Sequence, residues 1–405
     1  MTLSHHSTHM ETAALGSLRR RWGMVVLLYA VTWWLTYQLL QSFWFDTLAS
    51  RWRLGSAGVA LLLLTLLWRG LRYNRHTESS RLWPTLGYGN WLSIVRGILL
   101  CLLAGFLFLP RPTIALTWLP ALLYTADRIT DLFDGYLARI TQRESKLGAM
   151  LDIELDGLGL LVAVVLGVQY GLLPAWYLIL AVSRQLFVAG MWLRKRAGLP
   201  NRDLPPSDNR RVIAGFQTGF LSVMFWPILV PAVTHLAAIL FAIPLIYSFG
   251  RDWLVVSHAI DPEAPAYNRV RGGIKSLFES WLPVVARLVA FALFAQLLWS
   301  RWQDEALWDV FVVAWSLPTS PWLHIGTIGL AMVAAIFVVT GYLARVAALL
   351  LMTFALLLVS VEGLSWQSSG ALFVSSVIVA HLGSGRWSYW QPEERWLHTQ
   401  YGKVS

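Results

Sequence analysis

Charge is scarce in this chain. Only 13% of its 405 residues are Asp, Glu, Lys or Arg, against 57% hydrophobic, and that excludes an ordinary soluble domain. Cysteine is all but missing. The single thiol, Cys101, lies inside an apolar run, so an intrachain disulfide framework is excluded. Acidic side chains are the rarer sign, 22 against 32 basic ones. The resulting net charge of +10 could suggest nucleic acid, but the basic residues collect in short loops between apolar runs. Such clusters set membrane topology and attract anionic headgroups, so no nucleic-acid partner is expected.

What the chain has in abundance is apolar length. Runs of roughly 17–25 residues, long enough to span a bilayer as a helix, recur about twelve times. Many tryptophans sit at their ends, among them Trp22, Trp44, Trp68, Trp91 and Trp176, where an interfacial aromatic belt belongs. The fold class expected is an all-α polytopic membrane protein. Arg19, Arg20 and Arg21 before the first run, and Arg69, Arg72 and Arg75 after the second, place both ends of this pair in the cytoplasm. The same rule puts both termini there. Tyr73–Gly89 reads as a surface-lying connector without chemistry.

One stretch breaks the apolar pattern. Residues 131–156 read DLFDGYLARITQRESKLGAMLDIELD. On a helix, Asp131, Asp134 and Ala138 share one face; Gly148, Asp152 and Asp156 share the face of the next. Two helices joined by a short basic turn would aim four carboxylates at one point between apolar flanks. They would repel one another and desolvate badly unless cations bind them. Asp127 could be a fifth acid, with a plain ion pair to Arg128 as the alternative. Glu154 points away.

The spacing D-x-x-D-G-x-x-A-R…G-x-x-x-D-x-x-x-D resembles the signature of the CDP-alcohol phosphotransferase family, with every fixed position filled. GNWLSIVRG resembles that family's first-span entry, with Gly89 in place of proline and Ser93 in place of threonine. The resemblance implies displacement of CMP from a CDP-linked group by an alcohol. It implies Mg²⁺ or Mn²⁺, two ions, held by Asp131, Asp134, Asp152 and Asp156, with Asp156 as general base. Oxygen-only ligands suit these metals better than zinc. Asn90, Ser93, Arg96, Gly135, Ala138, Arg139 and Gly148 would contact the CDP moiety, the glycines by leaving room for the nucleotide. SRQLFVAGMWLR resembles a later family span through Arg184, Gly190 and Arg194, although Gln185 replaces a glutamate. Arg211 and Gln217 match a further stretch. Arg184, Arg194 and Arg211 are therefore the acceptor-binding candidates; a snorkelling arginine and a topology-setting cluster are the alternatives.

The implied reaction moves a phosphatidyl group from CDP-diacylglycerol to a small polar alcohol, such as glycerol 3-phosphate, facing the cytoplasm in the inner or plasma membrane. A CDP-choline or CDP-ethanolamine donor with a lipid acceptor uses the same signature. A transporter or a non-catalytic scaffold is the reading from other classes; no second acidic motif or matching half supports the first. A homodimer is implied by the resemblance alone. The expected layout is a two-span segment over 1–80, a six-span domain over 81–258, a linker over 259–280 and a four-span unit over 281–405. Ala286-Arg287-Leu288, GYLARVAALLLM and HLGSGRWSYW in that last unit resemble the DoxX-like four-helix membrane family. His324, Glu362 and His381 show no ligand spacing.

Overall fold

Hydropathy marks the length of chain that suits a bilayer, not where a helix stops. In the computed structural model the first helix, α1 (Thr2–Phe43), starts well before the apolar run, because the polar leader simply continues it. The structure describes residues 2–76, 81–113, 116–204, 208–301 and 320–392. It is all-helical: among the described residues the extended pairing is limited to one isolated bridge, Tyr342 with Trp390. Among the described residues, four helical segments are long and apolar enough to cross a membrane, namely Glu11–Phe43, Asp46–Tyr73, Pro231–Val256 and Pro265–Ser300, and shorter apolar helices accompany them. The chain divides into two units, residues 1–182 with 218–227, and residues 183–217 with 228–405.

In the first unit, α1 and α2 (Asp46–Gly70) run antiparallel. Trp22 Nε1 donates to Leu64 O at 3.0 Å and Trp33 Nε1 to Ser56 Oγ at 3.0 Å. Their outer faces leave Leu27, Leu35, Leu61 and Leu62 exposed, as lipid contact requires. Their inner faces pack on α3 (Tyr88–Ala104). Trp52 is fully buried there, and its Nε1 donates to Leu102 O at 3.1 Å. Gly105 admits that indole, since a Cβ at 105 would run into the ring.

Two helices then carry the acidic stretch. Helix α4 (Leu119–Ile140) has Pro120 in its first turn, where a missing N–H costs nothing. Helix α5 (Lys146–Gln169) is capped by Ser145, whose Oγ accepts from Gly148 N at 2.9 Å. The turn between them closes with Arg143 N donating to Ala138 O at 2.9 Å. Gly89 brings α3 against α4: a Cβ there would lie 2.9 Å from Asp134 O and 3.0 Å from Ala138 Cβ. Small residues at 89 and 138 thus permit the close crossing.

The apolar stretch expected as a single span near Pro174–Leu193 is not one helix. It breaks at Val182 into α6 (Tyr177–Ala181) and α7 (Ser183–Arg196). Helices α8 (Asp208–Met224) and α9 (Pro231–Val256) follow, the latter with Pro244 inside it. Much of the stretch expected as a linker is helical. Helix α10 (Pro265–Lys275) passes through a π-helical turn, Ser276–Trp281, into α11 (Leu282–Arg301). The polar residues of α10 are exposed, so low hydropathy there marks a helix outside the apolar layer.

Helices α11, α12 (Pro321–Thr340), α13 (Ala344–Glu362) and α14 (Ser369–Leu382) pack as a four-helix group in the second unit. The three short motifs of this region meet at Arg287, which is buried. Its guanidinium donates to Val338 O at 2.7 Å, Val339 O at 2.6 Å, Ser384 O at 2.6 Å and Arg386 O at 3.1 Å. These carbonyls lie in the last turn of α12 or just beyond α14, where backbone acceptors go unpaired. A cation suits them. Arg345 acts similarly, donating to Ala380 O and His381 O at 2.8 and 3.0 Å. The His381 ring packs against Phe216 and Phe241.

Candidate active site

The four signature carboxylates converge, and they do so on an arginine. Arg96, on α3, has no exposed surface. Its Nη1 lies 2.6 Å from Asp131, 2.9 Å from Asp134 and 2.9 Å from Asp152; its Nη2 lies 2.7 Å from Asp156. Asp127 sits behind it, 3.6 Å from Nε. The three-residue spacing of Asn90, Ser93 and Arg96 puts all of them on the face of α3 that meets α4 and α5.

A second guanidinium closes the cluster. Arg128 donates to Asp127 Oδ2 from Nε and Nη2, at 2.8 and 2.5 Å, and its Nη1 reaches Asp156 Oδ1 at 3.3 Å. Asp127 is thus both a fifth acid of the centre and half of an ion pair. Exposure grades across the cluster. The Asp127 and Asp134 side chains are 1% and 10% exposed, while Asp152 and Asp156 are 50% and 47% exposed. The open side is the one a substrate can reach.

Asp131, Asp152 and Asp156 each offer an oxygen within 4.8 Å of the others, a grouping able to hold a metal ion. Asp134 lies outside that trio; its Oδ2 accepts from Arg96 and, at 3.3 Å, from Ser93 Oγ. A divalent ion fits the donor chemistry, which is all carboxylate oxygen. It fits the charge as well. With all five acids ionised, the two guanidiniums leave three negative charges in the cluster, on a helix pair with apolar flanks.

The other expected residues divide. Asn90 is buried, and its Oδ1 occupies the space a Cβ on Gly148 would need, at 2.8 Å. Gly148 therefore admits the Asn90 amide. Gly135 faces Arg139 Nη1, 3.2 Å from where its Cβ would stand, and Arg139 itself is exposed. Arg184 and Arg194 lie on α7 and Arg211 on α8. Arg184 is exposed. Arg194 donates to Asn201 Oδ1, Pro200 O and Ser257 O at 3.1–3.2 Å, tying a loop. The Arg211 side chain and that of His324 lie outside the described residues.

This architecture, an all-helical membrane protein with a carboxylate centre between two helices, defines a class before any comparison. Residues 87–249 match the family model described as CDP-alcohol phosphatidyltransferase. That match covers the stretch that holds the carboxylate centre. A CDP-diacylglycerol–glycerol-3-phosphate 3-phosphatidyltransferase from Cereibacter sphaeroides is 37% identical over 89 residues, 21% of this chain and 39% of that one. The enzyme of the same name from Bacillus subtilis is 37% identical over 73 residues, 18% of this chain and 38% of its own. A Mycobacterium tuberculosis protein named "Putative cardiolipin synthase" is 29% identical over 140 residues, 33% of this chain and 63% of that one. The chain thus spans less than two thirds of each of these relatives. No solved structure is matched.

Proposed function

We propose that this protein transfers a phosphatidyl group from CDP-diacylglycerol to a small polar alcohol, releasing CMP, at the cytoplasmic face of a membrane. The observation that carries the reading is the meeting of Asp131, Asp152 and Asp156 within 4.8 Å, inside the region matched to the family. The relatives named for transfer to glycerol 3-phosphate make that alcohol the first acceptor to try.

Each residue then has a task. Asp131, Asp152 and Asp156 would hold a divalent ion, Mg²⁺ or Mn²⁺, with Asp134 as the fourth ligand of the expected set. When bound, such an ion supplies Lewis-acid stabilisation of the diphosphate oxygens. Arg96 gathers the carboxylates of two helices, α4 and α5, so the acids are pre-assembled with part of their mutual repulsion offset. Asp156 is the general base: it is half-exposed and faces the open side of the cluster, 3.3 Å from Arg128 Nη1. It takes the proton of the acceptor hydroxyl as that oxygen attacks the phosphorus of the phosphatidyl group and CMP leaves. Arg139, which is exposed, would meet the nucleotide, while Asn90 and Ser93 are buried beside the carboxylates and would support its site from within.

The test is CMP release by the purified full-length chain with Mn²⁺ or Mg²⁺ and CDP-diacylglycerol. The acceptor panel is glycerol 3-phosphate, phosphatidylglycerol, inositol phosphate and serine, with Asp156→Asn as control. Metal-dependent release with one acceptor, lost in the variant while the protein stays folded, supports the proposal. Release only with CDP-choline or CDP-ethanolamine and diacylglycerol would replace it.

A further inference from the structure

The N-terminal helices reach the candidate active site through one buried asparagine that lies before the matched region. Asn74 follows the single 3-10 turn Leu71–Tyr73 at the end of α2 and has no exposed surface. Its Nδ2 donates to Trp83 O and Thr85 O, each at 3.0 Å. Both amide protons are spent on carbonyls, which can only accept, so the oxygen is what faces Asn90. Asn90 Nδ2 donates to Asn74 Oδ1 at 3.0 Å. The Asn90 amide must then turn its own oxygen the other way, where Ser145 Oγ donates to it at 3.2 Å. Ser145 Oγ in turn accepts from Gly148 N at 2.9 Å and caps α5. Once Asn74 is set, every later donor and acceptor has one orientation.

The same connector holds the turn before α5 at two more points. Lys146 N donates to Arg75 O at 3.0 Å, and Arg143 Nη1 to Thr85 Oγ1 at 2.9 Å. Helix α5 carries Asp152 and Asp156 one and two turns beyond Gly148. A shift of its first turn is a shift of both acids.

We propose that Asn74 is a positioning residue for the reaction: through Asn90 and Ser145 it fixes the first turn of α5, and with it the placement of Asp152 and Asp156. The inference rests on the reading of that carboxylate centre as the reacting one. It gives the two leading helices a task, which is to deliver this connector to the site.

The experiment compares Asn74→Ala, Asn90→Ala, Ser145→Ala and Asn74→Ala/Ser145→Ala in the full-length protein. Ser56→Ala serves as control, since Ser56 is equally buried in the same helical pair and outside the relay. Hydrogen exchange of peptides covering residues 143–150 is read first. Exchange at the Gly148 amide should rise about tenfold in Asn74→Ala, as in Ser145→Ala, with no further rise in the double variant and none in Ser56→Ala. The KM for CDP-diacylglycerol should rise about tenfold in Asn74→Ala and in Asn90→Ala, and in Asn74→Ala/Ser145→Ala by less than the product of the two single effects. Unchanged exchange in Asn74→Ala, or an equal rise in Ser56→Ala, overturns the inference. Wild-type protein inactive with every donor would sink the activity reading instead, and the exchange result would still decide the relay.

Discussion

Arg96 and Asp156 stand 60 residues apart in the chain and meet at 2.7 Å. The contact is one of several by which a single guanidinium gathers acids from α4 and α5 onto α3. A cation so placed offsets repulsion that would otherwise push the helices apart, and it is costly to remove because its partners stay behind. Arg96→Met should destabilise the protein by about 3–5 kcal/mol, the range for breaking a buried pair from one side. Arg96→Lys should recover part of that, since an ammonium cannot present two nitrogens to opposite carboxylates. Thermal unfolding in detergent measures both. An unchanged midpoint in Arg96→Met would remove Arg96 from its role as the neutralising hub.

Two glycines of the site region should respond differently to the same added methyl. At Gly89 the new Cβ would stand 2.9 Å from Asp134 O, a backbone atom that cannot step aside. Gly89→Ala should cost roughly 1–3 kcal/mol as overpacking and displace α4 with its acids. At Gly135 the nearest atom is the free end of Arg139, at 3.2 Å, which can move. Gly135→Ala should stay within about 0.5 kcal/mol of wild type in stability, as surface changes do. Paired unfolding curves test the contrast, and equal losses would contradict it.

The carboxylate centre was legible because its information is local. Fixed spacings on two helices joined by a short turn leave the four acids few other places to go. Arg96 was legible as a residue of the site but not as its hub. Its partners lie 31 to 60 positions away, and only the packing of α3 on α4 and α5 brings them together. Asp127 and Arg128 were visible as a pair, but which of two roles they take depends on that packing, and they take both. Asn74 was not legible at all. An asparagine in a polar connector looks the same whether it faces water or carries a hydrogen-bond relay. The break at Val182 and the helical stretch at Pro265–Lys275 were missed for one reason, that hydropathy reports the bilayer rather than the backbone.

Arg287 offers a stability test away from the site. Its guanidinium serves carbonyls in the last turn of α12 and just beyond α14, and an apolar replacement would take a donor from several of them at once. Arg287→Met should destabilise the second unit by at least about 3 kcal/mol, since each stranded buried acceptor costs about 1–3 kcal/mol. Limited proteolysis should show new cleavage beyond residue 320. A variant as resistant as wild type would mean that water replaces the arginine there without loss.

Asp152 separates holding a metal from holding the fold. Its carboxylate is half-exposed and belongs to the trio within 4.8 Å, yet Arg96 keeps four other acids without it. Asp152→Asn should therefore unfold near the wild-type temperature. It removes one anionic ligand of a hard cation, so the Mn²⁺ concentration giving half-maximal CMP release should rise about tenfold or more, as expected when a single ligand is lost from a small oxygen-ligand site. Chelation should stop release in both proteins, and added Mn²⁺ should restore it at different concentrations. Direct Mn²⁺ binding, followed by the loss of the free ion's paramagnetic resonance signal, reads the same shift without turnover. If Asp152→Asn and wild type bind Mn²⁺ alike, the carboxylate trio is not the metal site, and Asp152 would have to serve the nucleotide directly.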